Sequence, residues 1–251
     1  MNRAIKAEIQ RVMSAKTFWI SLALFVSIYL LSSIEDLTEI IKNGAEFAYH
    51  SQFYLQKIQS QEIRLTLPFL CVLPSATLFL DDVNSGYIKF YVSRIGKQNY
   101  IKGKLAACFL SGGCILLLGG IFSWGGTVLL ITPVEKILAP NVMRPYYLYD
   151  LLQSFFLLFL NGALWALCGM VLSALTESKH MAYASSFVIC FLLVILHERY
   201  FRNIFSIYPY EWLVPTGPPI EFVPVVILLG LIEIALCKIF MEYAEERIEN
   251  V

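Results

Sequence analysis

From Leu105 to Ile131 the chain carries no charged side chain. About 20 apolar residues in a row suffice for a helix to cross the roughly 30 Å hydrocarbon core of a bilayer. Inside that core the backbone must satisfy its own hydrogen bonds, which restricts spanning structures to helices and closed barrels. Apolar stretches also occupy residues 17–33, 65–80, 151–175, 181–196 and 222–240. Hydrophobic residues make up 58% of the 251 and charged residues 15%, against roughly 25% charged in soluble domains. The expected fold is therefore an all-α integral membrane protein, one transmembrane domain over residues 1–251 with six spans at 17–33, 65–80, 105–131, 151–175, 181–196 and 222–240.

Arg3, Lys6, Arg11 and Lys16 precede the first span, a layout that superficially resembles a secretory signal. The basic region is long for a signal, and no A-x-A site follows, so the first span reads as a retained signal-anchor helix. Ile5, Ile9, Val12 and Met13 share one helical face in residues 1–16. Such a helix can lie in the membrane interface with its basic side chains toward anionic lipid headgroups; the alternative is a solvated basic tail. Residues 34–64 mix acids and bases with helically spaced Ile34, Leu37, Ile40 and Ile41, which predicts a partly helical loop resting on the membrane edge. Pro68 and Pro74 are expected to bend the second span, because each removes a backbone donor and crowds the preceding turn.

Gly112, Gly113, Gly119, Gly120, Gly125 and Gly126 lie on the third span. Small residues let helices approach closely in lipid, and either packing within one subunit or a subunit interface accounts for them. Pro133, Pro140 and Pro145 with Tyr146, Tyr147 and Tyr149 predict a far-side loop over 132–149 with an interfacial aromatic belt. Asn161 on the fourth span is a candidate for a helix–helix hydrogen bond or for substrate contact. Residues 197–220 are apolar but broken by Pro209, Pro215, Pro218 and Pro219. Short re-entrant or interfacial helices on the far side, before the sixth span, fit them best. Glu233 is the one acid well inside a span. Intramembrane charge is costly and marks functional positions, although pairing with Lys238 or snorkelling would also explain it.

Six spans put both termini on one side. Arg and Lys concentrate in residues 1–16 and 81–104, which the positive-inside rule places in the cytoplasm of a plasma-membrane protein. The six cysteines all lie in apolar runs without a C-x-x-C pair, the pattern of small buried hydrophobes. His50, His180 and His197 are far apart in sequence, and no metal site is expected. No hydrolase or metalloprotease motif occurs, nor a P-loop or G-x-G-x-x-G. No catalytic residue and no bound cofactor are expected. A net charge of zero gives no sign of nucleic acid as a partner.

The segment DDVNSGYIKFYVSRIGKQNYIKGK, Asp81 to Lys104, is what remains. Gly86 permits a turn or a close backbone approach. Ile88, Val92 and Ile95 keep helical spacing, which predicts a short helix over 85–95, with Arg94 and Lys97 at the end where the dipole favours cations. An ordinary positive-inside loop would explain the lysines but not the ordered aromatic run.

With the basic N-terminal helix, the six spans and, more weakly, IYPYEWLVP before the sixth, this segment resembles the ABC-2 type permease family. The resemblance implies a dimer, with a second copy or a homologous permease, and a separate ABC ATPase subunit that supplies ATP and Mg. It implies that 81–104 is the coupling segment, with Asp81, Asp82, Gly86, Tyr87, Arg94, Tyr100 and Lys102 in or supporting the coupling helix. The chain would then export an amphipathic or hydrophobic substrate (a peptide, drug or lipid-like molecule) by alternating access. An ATPase-independent scaffold or immunity protein, or an intramembrane enzyme with an unrecognised site, are the rival readings.

Overall fold

The computed structural model describes residues 3–43, 50–138, 146–202, 204, 207–214 and 222–249. Among these residues every regular element is helical. The α-helices are α1 (Arg3–Met13), α2 (Lys16–Asn43), α3 (His50–Lys57), α4 (Gln61–Val72) and α5 (Leu78–Asn84). They continue as α6 (Tyr87–Ile95), α7 (Lys97–Leu138), α8 (Tyr146–Thr176), α9 (Lys179–Arg199) and α10 (Phe222–Glu249). A 3-10 turn, Pro209–Trp212, precedes α10. Five of the helices, α2 and α7–α10, are long and apolar enough to cross a membrane. The protein is an all-α, multi-pass type of chain.

The expected second span is not one helix. Residues 65–80 divide between α4 and α5, with a turn at 73–77. Pro68 stays inside α4; the break falls at Pro74, where the amides of Ser75 and Ala76 both turn back to the Val72 carbonyl. The freed backbone groups of such a break need partners in the surrounding protein. Ser75 and Ala76 are fully buried, and Ser173 Oγ on α8 donates to the Ala76 carbonyl at 2.7 Å.

Other boundaries move outward. α2 continues without interruption past residue 33 to Asn43, and α7 runs through Pro133 into the expected far-side loop. The acidic tail after residue 240 extends α10. At ~1.5 Å rise per residue, the 42 residues of α7 reach about 63 Å, twice the hydrocarbon thickness. Its first two turns therefore stand clear of the apolar run that begins at Leu105.

The core centres on α8, with α7 and α4 against it. Phe18, Leu22, Phe25 and Tyr29 form the buried stripe of α2, and Tyr29 shares a 2.8 Å hydrogen bond with Thr127 on α7. The glycines of α7 serve this packing. A Cβ on Gly112 would strike the Gly162 carbonyl and Ala166 on α8, and one on Gly120 would lie 2.8 Å from the Tyr54 hydroxyl; Gly125 faces open space. α3 packs into the bundle through Tyr54, which is fully buried against Tyr29 and Phe155.

Ion pairs gather several helix ends at one end of the bundle. Lys97 at the start of α7 holds Glu249 at the end of α10 at 2.6 Å. Arg247 holds Glu177 after α8 at 2.8 Å, and Lys179 at the start of α9 holds Asp81 on α5 at 2.6 Å. α1 lies at this same end, against the first turns of α7.

Candidate functional site

At this end the short helices α1, α5 and α6 close around the first turns of α7. α6 owes its direction to two glycines in the left-handed region, Gly86 (φ 70°) before it and Gly96 (φ 83°) after it. A Cβ on Gly86 would meet nothing within 4 Å. The glycine is therefore required by its turn and not by the approach of another backbone. Ile88 buries the inner face of α6, while Tyr87 and Phe90 face outward, Phe90 at 73% exposure.

A closed charge network ties these helices together. Lys104 is completely buried, and its Nζ lies 2.8 Å from Glu8 Oε2 on α1 and 2.7 Å from Asp82 Oδ2 on α5. Tyr100 donates its hydroxyl to Asp82 Oδ2 at 3.0 Å. Arg11 donates from both terminal nitrogens to Asp82 Oδ1 at 3.2 Å, and it lies 3.9 Å from Glu8. Two carboxylates thus face two cations, which is the condition for burying charge at all. Burial pulls the Arg11 guanidinium down, but Asp82 and then Glu8 outweigh it and hold the group above its ordinary range. An aromatic ladder runs alongside, with Tyr87 stacked on Tyr91 and Tyr91 edge-on to Tyr100. Burial pushes the Tyr91 phenol up, and the nearby Glu8 carboxylate adds to it.

Outside the network lies an open cleft of about 1050 Å³, lined by Glu8, Arg11, Asp81, Tyr87, Phe90 and Lys179 among others. The cleft presents charge of both signs beside exposed aromatic rings.

Of the residues singled out from sequence, Asp82 and Tyr100 meet in the network. Asp81 and Tyr87 line the cleft. Arg94 and Lys102 are exposed and form no ion pair among the described residues. Sequence reasoning did not single out Glu8, Arg11, Lys104 or Lys179. The expected interfacial helix turns its basic side chains, Arg11 among them, toward headgroups. Glu8 is 3% exposed and turned onto Lys104. A lone acid at i, i+3 from an arginine in an otherwise basic helix was the available signal.

The two intramembrane candidates lie elsewhere. Asn161 does not bridge two spans: its amide donates to the Leu157 carbonyl on its own helix and, at 3.0 Å, to the carbonyl of Trp212 in the 3-10 turn. Trp212 is buried and stacked on Trp165 of α8. Gln59 donates to the Val214 carbonyl, and Arg64 lies over the Tyr210 ring. The segment 207–214 is thereby inserted into the far end of the bundle. Glu233 is 6% exposed on the inward face of α10, and Lys238 is exposed and not paired with it. Comparison with family models, curated proteins and solved structures finds no match.

Proposed function

We propose that this chain is the membrane subunit of an ABC exporter, with α5 and α6 as the segment a partner ATPase drives. The observation that carries the reading is the closed network at Asp82 and Lys104. It makes α1, α5 and the start of α7 one mechanical unit, with the outer face of α6 exposed beside it. A push on α6 enters through Gly86 and Asp82 and passes directly into α7, whose apolar part begins at the next residue, Leu105. A loosely tethered positive-inside loop would have no need of a buried, fully compensated lysine.

In this reading α4 and α5 together make the sixth crossing, interrupted at Pro74. Both termini then lie with the network in the cytoplasm of a plasma-membrane protein. The subunit works as a dimer with a second or homologous permease. It binds no cofactor itself; ATP and Mg act on the ATPase. Closure of the two ATPases rocks the spans and exposes an amphipathic or hydrophobic substrate alternately to each side, with Asn161 and Glu233 as the intramembrane positions that respond.

The test is substrate-stimulated ATP hydrolysis by the reconstituted complex. Gly86→Ala strains the left-handed turn by roughly 1–2 kcal/mol, and Arg94→Ala removes an exposed cation from α6. Both lower stimulation while leaving membrane insertion intact. Unchanged coupling in both variants overturns the assignment of α6.

A further inference from the structure

The inward face of α10 is a single stripe of Val225, Leu229, Glu233, Phe240 and Ala244. Only 17% of the most apolar window of this helix is covered by the rest of the chain. Glu233 nevertheless points to the covered side, at 6% exposure. Its Oε1 has no hydrogen-bond partner among the described residues, and no ion pair among them includes it.

The elements packed against α10 are α8, α7 and, through the Phe79–Phe240 ring contact, α5. Among the described residues, no charged side chain of these elements is ion-paired with Glu233; Asp81 and Asp82 of α5 are held by Lys179 and by Arg11 with Lys104. Its titratable neighbour is Cys237, one turn on along α10. No cation is paired with Glu233 among the described residues, so none compensates a carboxylate there. An isolated ionised carboxyl in such surroundings costs far more than the neutral acid.

We propose that Glu233 is a proton-binding site, holding its proton while α10 is packed on α7 and α8 and releasing it to water when that contact opens. The step is a simple acid dissociation. The O–H bond breaks, the electron pair stays on the carboxylate, and the proton passes to an entering water; closing reverses it. The packed arrangement needs the proton, so it is favoured at low pH and weakens as pH rises. The inference rests on α10 crossing the membrane, and not on an ATPase partner.

The test uses the wild-type full chain alone, in vesicles of phosphatidylethanolamine and phosphatidylglycerol. Dicyclohexylcarbodiimide, an apolar reagent, adds to protonated carboxyl groups, and mass spectrometry of the digest locates the adduct. The expected result is an adduct at Glu233, absent in Glu233→Gln. Its initial rate falls about tenfold per pH unit once the acid ionises. Absence of label at every pH, with helicity intact by circular dichroism, overturns the proposal, because Glu233 is then ionised or paired. A rate independent of pH also overturns it, since the acid is then sealed and exchanges no proton. Protection by tetraphenylphosphonium, a bulky apolar cation, replaces it with a site for cationic amphiphiles. Failure of the chain to bind any ATPase leaves every one of these outcomes readable.

Discussion

Replacing Lys104 by Met isolates the contribution of the buried network. Methionine retains most of the stem and removes only the ammonium. The ammonium is fully buried and lies 2.8 Å from Glu8 and 2.7 Å from Asp82. Asp82 would keep Arg11 and the Tyr100 hydroxyl. Glu8, 3% exposed, would keep only the 3.9 Å approach of Arg11. Removing one partner of a buried pair costs ~3–5 kcal/mol, most of it from the charge left behind. Lys104→Met should therefore lose about that much in equilibrium unfolding of the detergent-solubilised protein. The double variant Glu8→Gln with Lys104→Met should recover part of the loss, because the stranded charge is gone. The interaction energy in the resulting cycle should lie at the upper end of the ~0.5–3 kcal/mol typical of contacting residues. A Lys104→Met protein within about 0.5 kcal/mol of the parent, the range of ordinary surface changes, would refute a buried and closed network.

Two further substitutions probe the rest of the bundle. Gly112→Ala forces a Cβ against the Gly162 backbone and should cost roughly 1–3 kcal/mol through separation of α7 and α8. Gly126→Ala, whose Cβ would meet only a Leu30 methyl at 3.7 Å, should be nearly neutral in the same unfolding assay. Asn161→Ala removes the donor to the Trp212 carbonyl and should cost about 1–3 kcal/mol. It should also weaken the near-ultraviolet circular dichroism of the Trp165–Trp212 stack; an unchanged spectrum would count against the insertion of residues 207–214.

How much of this was legible in the sequence depended on the range of the interactions. Apolar runs report locally on lipid exposure, so the long helices lay where hydropathy put them. Gly86 and the 3.6-residue spacing of Ile88, Val92 and Ile95 likewise fix α6 from within a dozen residues. Glu8 and Lys104, by contrast, are 96 positions apart, and nothing near either residue announces the other. The pairing becomes visible only when α1 folds back onto α7. Pro68 and Pro74 show a different limit. Both remove a donor, yet only Pro74 ends a helix, because Ser173 and the buried surroundings of Ala76 receive the broken backbone there. The glycines of α7 were ambiguous for the same reason. Their partners Gly162, Phe25 and Tyr54 are remote in sequence, and only the fold shows that the first four serve contacts within the chain. Asn161 announced a buried polar contact, but not that its acceptor would be the carbonyl of Trp212.

The central claim is that the outer face of α6 receives a nucleotide-hydrolysing partner. A photo-crosslinking amino acid in place of Phe90, the most exposed large side chain on that face at 73%, tests it in native membranes. The expected result is a crosslinked product containing a P-loop ATPase, whose yield changes when nucleotide is trapped. The same probe placed at exposed Leu129 on α7 should give none. A folded, membrane-inserted protein that yields no ATPase adduct from Phe90 would contradict the account.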